Sequence, residues 1–297
     1  MNFDLFDYAE ELRYGDLHVR ANPETGLRAV IAVHSLQRGP AIGGCRFIEY
    51  ETSEDALRDA MRLARGMTYK SAITGLPHGG AKAVLMRPPE LTGGQRREIF
   101  EEFGEFVDSL EGDYITAEDS GTSVEDMNLV HEQTDHVLGV GEESGGGGDP
   151  SPFTATGVRR GIEAAVDHRW GRGHLEGLRV AIQGVGNVGY HLADQLDERG
   201  AELYVTDVDR AAAEKCVEEF GATYLEPGEI FEADADVFAP CALGAVLNDE
   251  TISRLNADIV AGAANNQLAE GRHGQVLLDE EILYAPDYVI NAAGLIH

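Results

Sequence analysis

The sequence predicts an α/β protein built from two domains. Its 297 residues exceed the length of one average domain. In the second half, apolar strand patterns alternate with helical patterns, which indicates a parallel sheet covered by helices. Four successive glycines at 145–148 are typical of a flexible, exposed segment. We therefore expect domains at 1–140 and 150–297, joined by a hinge at 141–149.

Composition and charge exclude several classes of function. Asp and Glu number 53 against 23 Lys and Arg, a formal charge of −30 that disfavours binding to nucleic acid or to an anionic membrane. No apolar run approaches the roughly 20 residues that a bilayer requires. The three cysteines have no paired spacing, so we expect reduced thiols, no metal site and a cytoplasmic protein. The acidity itself suggests a high-salt environment.

In the first half, the pattern predicts two strands and two helices around a glycine-rich loop. Residues 28–34 form a β-rich run, and Thr52 followed by acidic residues is typical of a helix start. Apolar positions then follow helical spacing to residue 64. We expect a loop over 75–80, a short strand at 83–86 and a helix over 98–110.

The second half is predicted to contain a Rossmann domain. Strands are expected at 178–183, 202–207, 236–239 and 258–261, with helices over 188–199 and 210–220. A Gly-x-Gly-x-x-Gly motif lies between the first strand and its helix. Its glycines allow a tight turn, the approach of a pyrophosphate and close helix packing. The candidate cofactor-binding residues of this motif are Gly184, Val185, Gly186, Asn187, Val188 and Gly189.

Asp207 bears on which dinucleotide binds. It lies 21 residues after Gly186, at the end of the next predicted strand. A carboxylate there accepts hydrogen bonds from the adenosine ribose hydroxyls and repels a 2′-phosphate. We therefore expect NAD rather than NADP, although the nearby Arg210 complicates this choice.

Lysine usage points to a second site. Only Lys70, Lys82 and Lys215 occur, against 20 arginines. Arginine would solvate a surface equally well, but it does not lose its proton at ordinary pH. Because Lys70 and Lys82 lie 12 residues apart in one glycine-rich segment, we expect them to act in chemistry that requires an ionisable amine.

Several segments, in the same order, resemble the Glu/Leu/Phe/Val dehydrogenase family, and most of all its leucine dehydrogenase branch. The resemblance runs from about residue 27 to the C-terminus. Its N-terminal segments are Gly-Pro-Ala-Ile-Gly-Gly at 39–44, Arg-Gly-Met-Thr-Tyr-Lys at 65–70, Leu-Pro-His-Gly-Gly-Ala-Lys at 76–82 and Thr-Ala-Glu-Asp-Ser-Gly-Thr-Ser at 116–123. Further matching segments lie at 150–154, 239–244, 265–267 and 284–294.

The resemblance implies oxidative deamination of an L-amino acid with NAD, in a cleft between an α/β substrate domain and the Rossmann domain. It implies that Lys70 binds the substrate carboxylate and that Lys82 activates water. Partial burial and the neighbouring Lys70 would lower the pKa of Lys82. Asp119 would carry protons to and from the amino nitrogen, whereas taken alone it would be interpreted as a helix cap before 122–126.

Other matches to the family are weaker, because each residue could equally serve a turn or a cap. Gly43 and Gly44 match glycines that let the substrate carboxylate approach the backbone. Thr154 and Asn291 match positions near the nicotinamide carboxamide. Asn266 matches a position in the same cleft, although its neighbour Asn265 could take that place.

The expected substrate is an apolar amino acid. Ile42 stands where glutamate-specific members have a lysine, and the matching pocket positions are Met67, Ala117 and Leu295. An unpaired carboxylate in such a pocket would be costly. Leucine, valine or isoleucine fits best, with phenylalanine or tryptophan as the alternative and a non-catalytic NAD sensor as a distant one.

The resemblance also carries an expectation about assembly. It implies a homo-oligomer, and an octamer in particular. Family members continue for several tens of residues beyond the position matching His297, in helices that return to the first domain. We therefore expect a C-terminal segment to be missing from this chain.

Overall fold

A computed structural model describes residues 4–140 and 149–296. The chain forms two compact units, Met1–Asp149 and Pro150–His297. Most of the expected hinge, residues 141–148 with the four glycines, lies outside the described residues. Within the described ranges, none of the helices combines the length and the apolar character needed to cross a membrane.

The first unit contains a five-stranded mixed sheet. In chain order its elements are α1 (Leu5–Leu12), β1 (Asp16–Asn22), β2 (Leu27–Ser35), β3 (Ala41–Ile48), α2 (Ser53–Thr74), β4 (Gly79–Met86), α3 (Gln95–Asp108), β5 (Tyr114–Glu118) and α4 (Val124–His131). The strands lie in the order β1-β2-β4-β3-β5. β3 runs parallel to both β4 and β5, whereas β2 is antiparallel to β1 and β4.

The two faces of this sheet pack against different helices. Successive side chains of a strand point to opposite faces. On one face, alanines of α2 pack against Ala32 and Val84. The other face carries the larger core, which includes Phe47, Phe100, Phe103, Tyr114 and Met127. Because small residues line the α2 face, the helix lies close to the strands there.

Helix α2 begins where the sequence predicts and continues further. The Thr52 hydroxyl accepts the Asp55 N–H at 3.1 Å and caps the helix. The helix ends at Thr74, because Gly75 adopts a left-handed conformation with φ 75°. Lys70 therefore lies on a helix and not in a glycine-rich segment.

The predicted loop over 75–80 is wrong in its second half, because β4 already begins at Gly79. The Gly79 N–H donates to the Pro40 carbonyl at 3.0 Å. A Cβ on Gly80 would lie 2.0 Å from the Thr68 nitrogen. Glycine at this position thus allows close packing of α2 on β4, and Lys82 lies within the strand.

The second unit contains a sheet whose paired strands are all parallel. Its helices are α5 (Ser151–Trp170), α6 (Asn187–Asp197), α7 (Arg210–Phe220), α8 (Asp249–Ile252), α9 (His273–Asp279), α10 (Asp287–Ile290) and α11 (Ala293–Ile296), with a 3₁₀ turn at Ile230–Glu232. Its strands are β6 (Arg179–Gln183), β7 (Glu202–Thr206), β8 (Thr223–Tyr224), β9 (Val237–Pro240), β10 (Ile259–Val260) and β11 (Leu283–Tyr284).

Strand order in the second unit is that of a Rossmann fold. Read across the sheet, it is β8-β7-β6-β9-β10-β11, which corresponds to the order 3-2-1-4-5-6. The order reverses between β6 and β9, and ligands of such folds bind at the carboxyl ends of the strands near that point. The predicted α/β class, with a C-terminal Rossmann domain, is confirmed.

Candidate active site

The predicted catalytic residues of the first unit lie on the sheet face that α2 covers. Lys82 alternates along β4 with Ala81 and Ala83, which belong to the opposite core. The same alternation puts Ile42 and Gly44 of β3, and Ala117 of β5, on the α2 face. Lys70 and Met67 lie on α2 itself. Three strands and one helix therefore contribute these predicted residues.

Lys82 is almost completely buried and forms an ion pair. Lys82 is 4% exposed, and its Nζ lies 2.8 Å from Asp119 Oδ2. Burial lowers the pKa of the Lys82 ammonium; the negative charge of Asp119 raises it, and the positive charge of Arg46 lowers it. On balance the pKa is lowered, which favours loss of the proton compared with an exposed lysine.

Asp119 is held between two cations. Besides Lys82, the Arg46 Nε donates to the same Asp119 Oδ2 at 3.0 Å. Burial would raise the pKa of this carboxyl, but Lys82 and Arg46 outweigh it and hold the pKa well below its usual range. Asp119 is not the helix cap, because Ser123 caps α4 in a reciprocal exchange with Asp126. The carboxylate is therefore ionised and directed at the two cations.

Arg46, Asp59 and Tyr50 extend this site, and the sequence reasoning missed all three. The Arg46 guanidinium donates through Nη1 to Asp59 Oδ2 at 2.7 Å, and the Tyr50 hydroxyl donates to the same oxygen at 2.6 Å. One signal was available, since Arg46 interrupts an otherwise apolar strand. A buried arginine requires carboxylate partners.

A cation that the sequence did not suggest lowers the pKa of Lys82. The sequence predicts Lys70 as the neighbouring cation, and that role stays a prediction. The structure adds Arg46, whose positive charge lowers the Lys82 pKa. β3 pairs directly with β4, with Arg46 opposite Val84, so the two cations come from adjacent strands.

Gly43 and Gly44 are both required by close packing within the first unit. A Cβ on Gly43 would lie 1.7 Å from the Ala81 carbonyl oxygen. A Cβ on Gly44 would lie 2.8 Å from both the Asp119 Cβ and the Glu118 carbonyl oxygen. Gly44 thus makes room for Asp119. An approach of the substrate carboxylate to these glycines remains a prediction.

The four predicted pocket positions are divided between the units. Ile42 is buried at the α2 face, while Met67 and Ala117 are partly buried. All three are apolar and belong to the first unit. Leu295 is a partly buried residue of α11 in the second unit.

The glycine motif of the second unit connects β6 to α6, and each glycine has a different environment. Gly184 has φ 93°, and a Cβ there would lie 2.8 Å from Ala242. A Cβ on Gly189 would lie 2.0 Å from the Gly184 carbonyl oxygen, whereas one on Gly186 would meet no atom within 4 Å. The turn and the helix packing therefore require Gly184 and Gly189, while the backbone at Gly186 stays open to a ligand.

The residues between these glycines lie at the start of α6. Val185 is buried, Asn187 is exposed and Val188 is partly buried. Gly186 is the N-cap of α6 and supplies no side-chain cap. The first N–H groups of the helix are thus available to an anion.

Asp207 lies directly after β7 and organises this loop. Its Oδ2 accepts the Val185 N–H at 2.7 Å, and its Oδ1 accepts the Asp209 N–H at 2.9 Å. Arg210 is engaged elsewhere. Its Nε lies 2.8 Å from Glu214 Oε1, and its guanidinium lies 4.5 Å from the centre of the Tyr224 ring.

Three asparagines of the second unit lie near one another. Asn291 donates through Nδ2 to the Ala263 carbonyl at 2.8 Å and to Asn265 Oδ1 at 2.9 Å. Asn266 has φ 51°, and its N–H donates to Asp287 Oδ2 at 2.5 Å. Within the described ranges, the buried Asn266 Nδ2 and Asn291 Oδ1 have no hydrogen-bond partner. Buried amide atoms of this kind fit a polar ligand.

Thr154, the remaining predicted cofactor residue, is on α5. Its hydroxyl donates to the Pro150 carbonyl at 3.1 Å. A Cβ on Gly294 would lie 2.3 Å from the Thr154 Oγ1, so α5 and α11 pack closely at this point.

Comparison with known families identifies the chain. The protein-family model described as Glu/Leu/Phe/Val dehydrogenase, dimerisation domain, matches residues 14–136. The model described as Glutamate/Leucine/Phenylalanine/Valine dehydrogenase matches residues 145–213 and 204–297. The chain belongs to the Glu/Leu/Phe/Val dehydrogenase family. It is therefore an amino acid dehydrogenase, an oxidoreductase of a family that is generally dependent on pyridine nucleotides.

Similar proteins within the Glu/Leu/Phe/Val dehydrogenase family have different names. A leucine dehydrogenase of Bacillus cereus is 48% identical over 297 residues, which cover all of this chain and 81% of that protein. An L-tryptophan dehydrogenase of Nostoc punctiforme is 49% identical over 277 residues, 93% of this chain and 76% of that protein. Family membership thus defines the kind of reaction, while the choice of side chain depends on the pocket.

A solved structure from the family supports the fold. The crystal structure of the L-tryptophan dehydrogenase from Nostoc punctiforme matches with a TM-score of 0.74 and 43% sequence identity. The match covers 98% of this chain and 83% of that one.

Proposed function

We propose that this Glu/Leu/Phe/Val dehydrogenase catalyses the reversible, NAD-dependent oxidative deamination of leucine, valine or isoleucine. The products are the 2-oxo acid, ammonium, NADH and one proton, and one water is consumed. The observation that carries the chemistry is the ion pair between the buried Lys82 Nζ and the partly buried Asp119 Oδ2, at 2.8 Å.

The two ionisable groups suit the two proton transfers of the reaction. The substrate α-ammonium must lose a proton before hydride leaves Cα, and the ionised Asp119 accepts it. Neutral Lys82 then takes a proton from the water that attacks the imino carbon. Asp119 returns its proton to the nitrogen, and the C–N bond then breaks as the carbinolamine hydroxyl gives its proton to Asp119 and becomes the oxo group. The released ammonia takes that proton from Asp119 to form ammonium, and Lys82 releases its proton to solvent. When Lys82 is neutral, Asp119 keeps the cation Arg46 but loses that of Lys82, so its carboxylate becomes a better proton acceptor.

Lys70 supplies the fixed charge for the substrate carboxylate. It lies on α2, the helix that covers the sheet face of Lys82. A cation held by a helix orients the α-carbon better than one on a flexible loop. Gly43 and Gly44 of β3 would let the same substrate carboxylate approach the backbone.

The residues of the second unit fit a dinucleotide, and NAD+ supplies the acceptor for the hydride. Gly186 leaves the backbone open, and the start of α6 offers N–H groups to a pyrophosphate. Asp207 disfavours a 2′-phosphate by charge. Arg210, the residue that could have favoured NADP, is paired with Glu214 and packs on Tyr224. These contacts support NAD over NADP.

Side-chain selection follows from the apolar pocket positions. Ile42, Met67 and Ala117 carry no charge that could pair with the γ-carboxylate of glutamate. An apolar pocket distinguishes substrates poorly by size alone. The similarity to a tryptophan dehydrogenase therefore keeps aromatic substrates as the second candidate.

A panel of substrates tests the proposal. Initial rates of NADH formation would be measured with leucine, valine, isoleucine, phenylalanine, tryptophan and glutamate, each with NAD+ and NADP+, at low and high salt. We expect the three branched substrates with NAD+ to be fastest and glutamate to be inactive. A preference for tryptophan or phenylalanine would replace the substrate class and leave the mechanism intact.

Substitution of Lys82 separates an enzyme from a sensor. Lys82→Ala is expected to abolish turnover and leave NAD+ affinity within about threefold of the unchanged protein. Activity that survives the substitution would overturn the role of Lys82. NAD+ binding without turnover of any amino acid, in the unchanged protein, would favour the non-catalytic alternative.

We also propose that the chain forms a homo-oligomer, and specifically an octamer. Support comes from residues 14–136, which match a family model described as a dimerisation domain. Light scattering coupled to gel filtration gives the mass, and a monomer at assay concentrations would contradict the proposal.

A further inference from the structure

Behind the Lys82–Asp119 pair lies a chain of buried and partly buried polar side chains that the proposed reaction does not use directly. Asp119 is bound by Arg46, Arg46 by Asp59, and Asp59 by the Tyr50 hydroxyl. We call these four residues the Arg46 network. The Arg46 side chain is only 8% exposed, so its charge is screened little by solvent.

We propose that Arg46, anchored by Asp59, is a positioning residue that holds the Asp119 carboxylate against Lys82 and sets the pH range in which Lys82 acts as a base. This inference rests on the proposed function, since it assumes that Lys82 activates water.

The first argument is geometric. Arg46 Nε and Lys82 Nζ both contact Asp119 Oδ2, at 3.0 and 2.8 Å. When Lys82 loses its proton, its attraction for the carboxylate weakens. Arg46 remains a cation throughout, because guanidinium does not deprotonate in proteins. It therefore keeps Asp119 in place during the step in which Lys82 is neutral.

The second argument concerns how Arg46 itself is fixed. Its Nη1 lies 2.7 Å from Oδ2 of Asp59, a residue of α2, so the guanidinium connects β3 to that helix. The Tyr50 hydroxyl, 2.6 Å from the same oxygen, holds Asp59 in turn. Burial would lower the pKa of Arg46, but Asp119 and Asp59 raise it. Each member is thus held by its neighbour.

The third argument is electrostatic and gives opposite signs for two substitutions. Arg46 lowers the pKa of Lys82, whereas Asp59 raises it. Among the neighbouring titratable groups, Cys45 of β3 is subject to the charges of Lys82 and Asp119, and Tyr114 of β5 to that of Asp119. β2 places the apolar Ala32 opposite Lys82. Removal of the Arg46 charge should make Lys82 harder to deprotonate. Removal of the Asp59 charge should make it easier.

The experiment compares pH profiles of kcat for leucine oxidation in the full chain. In Arg46→Met, the rising limb of the profile should move to higher pH by roughly one to two units. At a pH below the limb, kcat should then be lower by about tenfold for each unit of that shift. In Asp59→Asn, the limb should move to lower pH. In Arg46→Lys, which retains the charge, the limb should stay close to that of the unchanged protein while the plateau falls.

Both Arg46→Met and Asp59→Asn break the same Arg46–Asp59 ion pair, so a purely structural role predicts the same change in both. The proposal would be overturned if the limbs of both variants move in the same direction. It would also be overturned if neither limb moves while the plateau of kcat falls. If Arg46→Met does not fold, Asp59→Asn and Arg46→Lys test the proposal. It stands only if the rising limb moves to lower pH in Asp59→Asn and keeps its position in Arg46→Lys.

Arg97→Met is a matched control. Arg97 also bridges two carboxylates, Glu101 and Glu132, but its side chain is 59% exposed on α3. Its pH profile should equal that of the unchanged protein. A shift there as large as in Arg46→Met would mean that the effect is not specific to the site. Failure of the proposed function would differ visibly, because the unchanged protein would then not oxidise leucine at any pH.

Discussion

Asp119 reaches Lys82 because Gly44 has no side chain. A Cβ on Gly44 would lie 2.8 Å from the Asp119 Cβ, closer than such atoms approach. Glycine on β3 therefore makes room for a carboxylate that directly follows the neighbouring strand, β5. The motif Gly-Gly-Cys-Arg at 43–46 thus contributes twice to the site, through the space beside Asp119 and through Arg46.

Gly44→Ala is expected to displace Asp119 from Lys82. Misplacement of a catalytic group should lower kcat roughly 10- to 100-fold. Crowding against the neighbouring strand should cost about 1–3 kcal/mol of the free energy of unfolding. Leucine oxidation and urea unfolding measure the two effects. An unchanged kcat would show that Asp119 can shift without loss of function.

Gly66→Ala is the control for this substitution. Gly66 lies inside α2, and a Cβ there would meet no atom within 4 Å. Alanine should stabilise the helix by about 0.5–1 kcal/mol and leave kcat unchanged. Equal losses in both variants would point to a general sensitivity of the first unit.

Lys82→Arg is expected to remove activity even though it retains the charge. Arginine does not become neutral near the working pH, so it is no general base. We expect kcat to fall roughly 10²- to 10⁴-fold in steady-state assays. Lys215→Arg is the matched control, because Lys215 Nζ lies 3.9 Å from the centre of the Tyr190 ring and an arginine can make the same contact. High activity in Lys82→Arg would exclude proton removal by this side chain.

The second unit was easier to predict from sequence than the first. Helix α7 has the predicted bounds, and β6 differs from its prediction by one residue, because strand, turn and helix follow one another locally. The start of β4 was missed because Gly79 and Gly80 resemble a loop. The reason for glycine at 80 is Thr68, on a helix packed above the strand. Such a contact leaves no local pattern.

The Arg46 network shows the same limit within the site. Lys82 and Asp119 were found through family resemblance and lysine usage. Arg46 binds partners 13 and 73 positions away, a pairing that neither helical nor strand spacing encodes. What the sequence does reveal is the anomaly of an arginine in a buried strand, and the sheet register is needed to identify its partners.

Oxidation of leucine should accelerate with rising pH. Protonated Lys82 does not accept a proton from water, so the rate is low where the ammonium persists. Burial and Arg46 lower the Lys82 pKa, so the midpoint should lie below the ordinary lysine value of about 10.4. Profiles of kcat from about pH 6 to pH 11 would locate it. A midpoint at or above the ordinary value would contradict the lowered pKa.

Gly186→Ala and Gly189→Ala should have opposite consequences. A Cβ on Gly186 meets no protein atom within 4 Å, so this variant should keep its melting temperature and bind NAD+ roughly tenfold more weakly. A Cβ on Gly189 would lie 2.0 Å from the Gly184 carbonyl, so that variant should lose stability first. Calorimetry of binding and thermal unfolding distinguish them. Unchanged NAD+ affinity in Gly186→Ala would contradict the assignment of the cofactor to this loop.

Stability should increase with salt. With 53 acidic against 23 basic residues, the folded chain carries a formal charge of −30 and repels itself. The screening length falls from about 10 Å at 0.1 M to about 3 Å at 1 M, so most of the gain from screening should be reached by about 1 M KCl. Thermal unfolding in a KCl series would measure it. A melting temperature that still rises at about 3 M would indicate salt exclusion from the surface, beyond screening, while one that never changes would contradict the expectation.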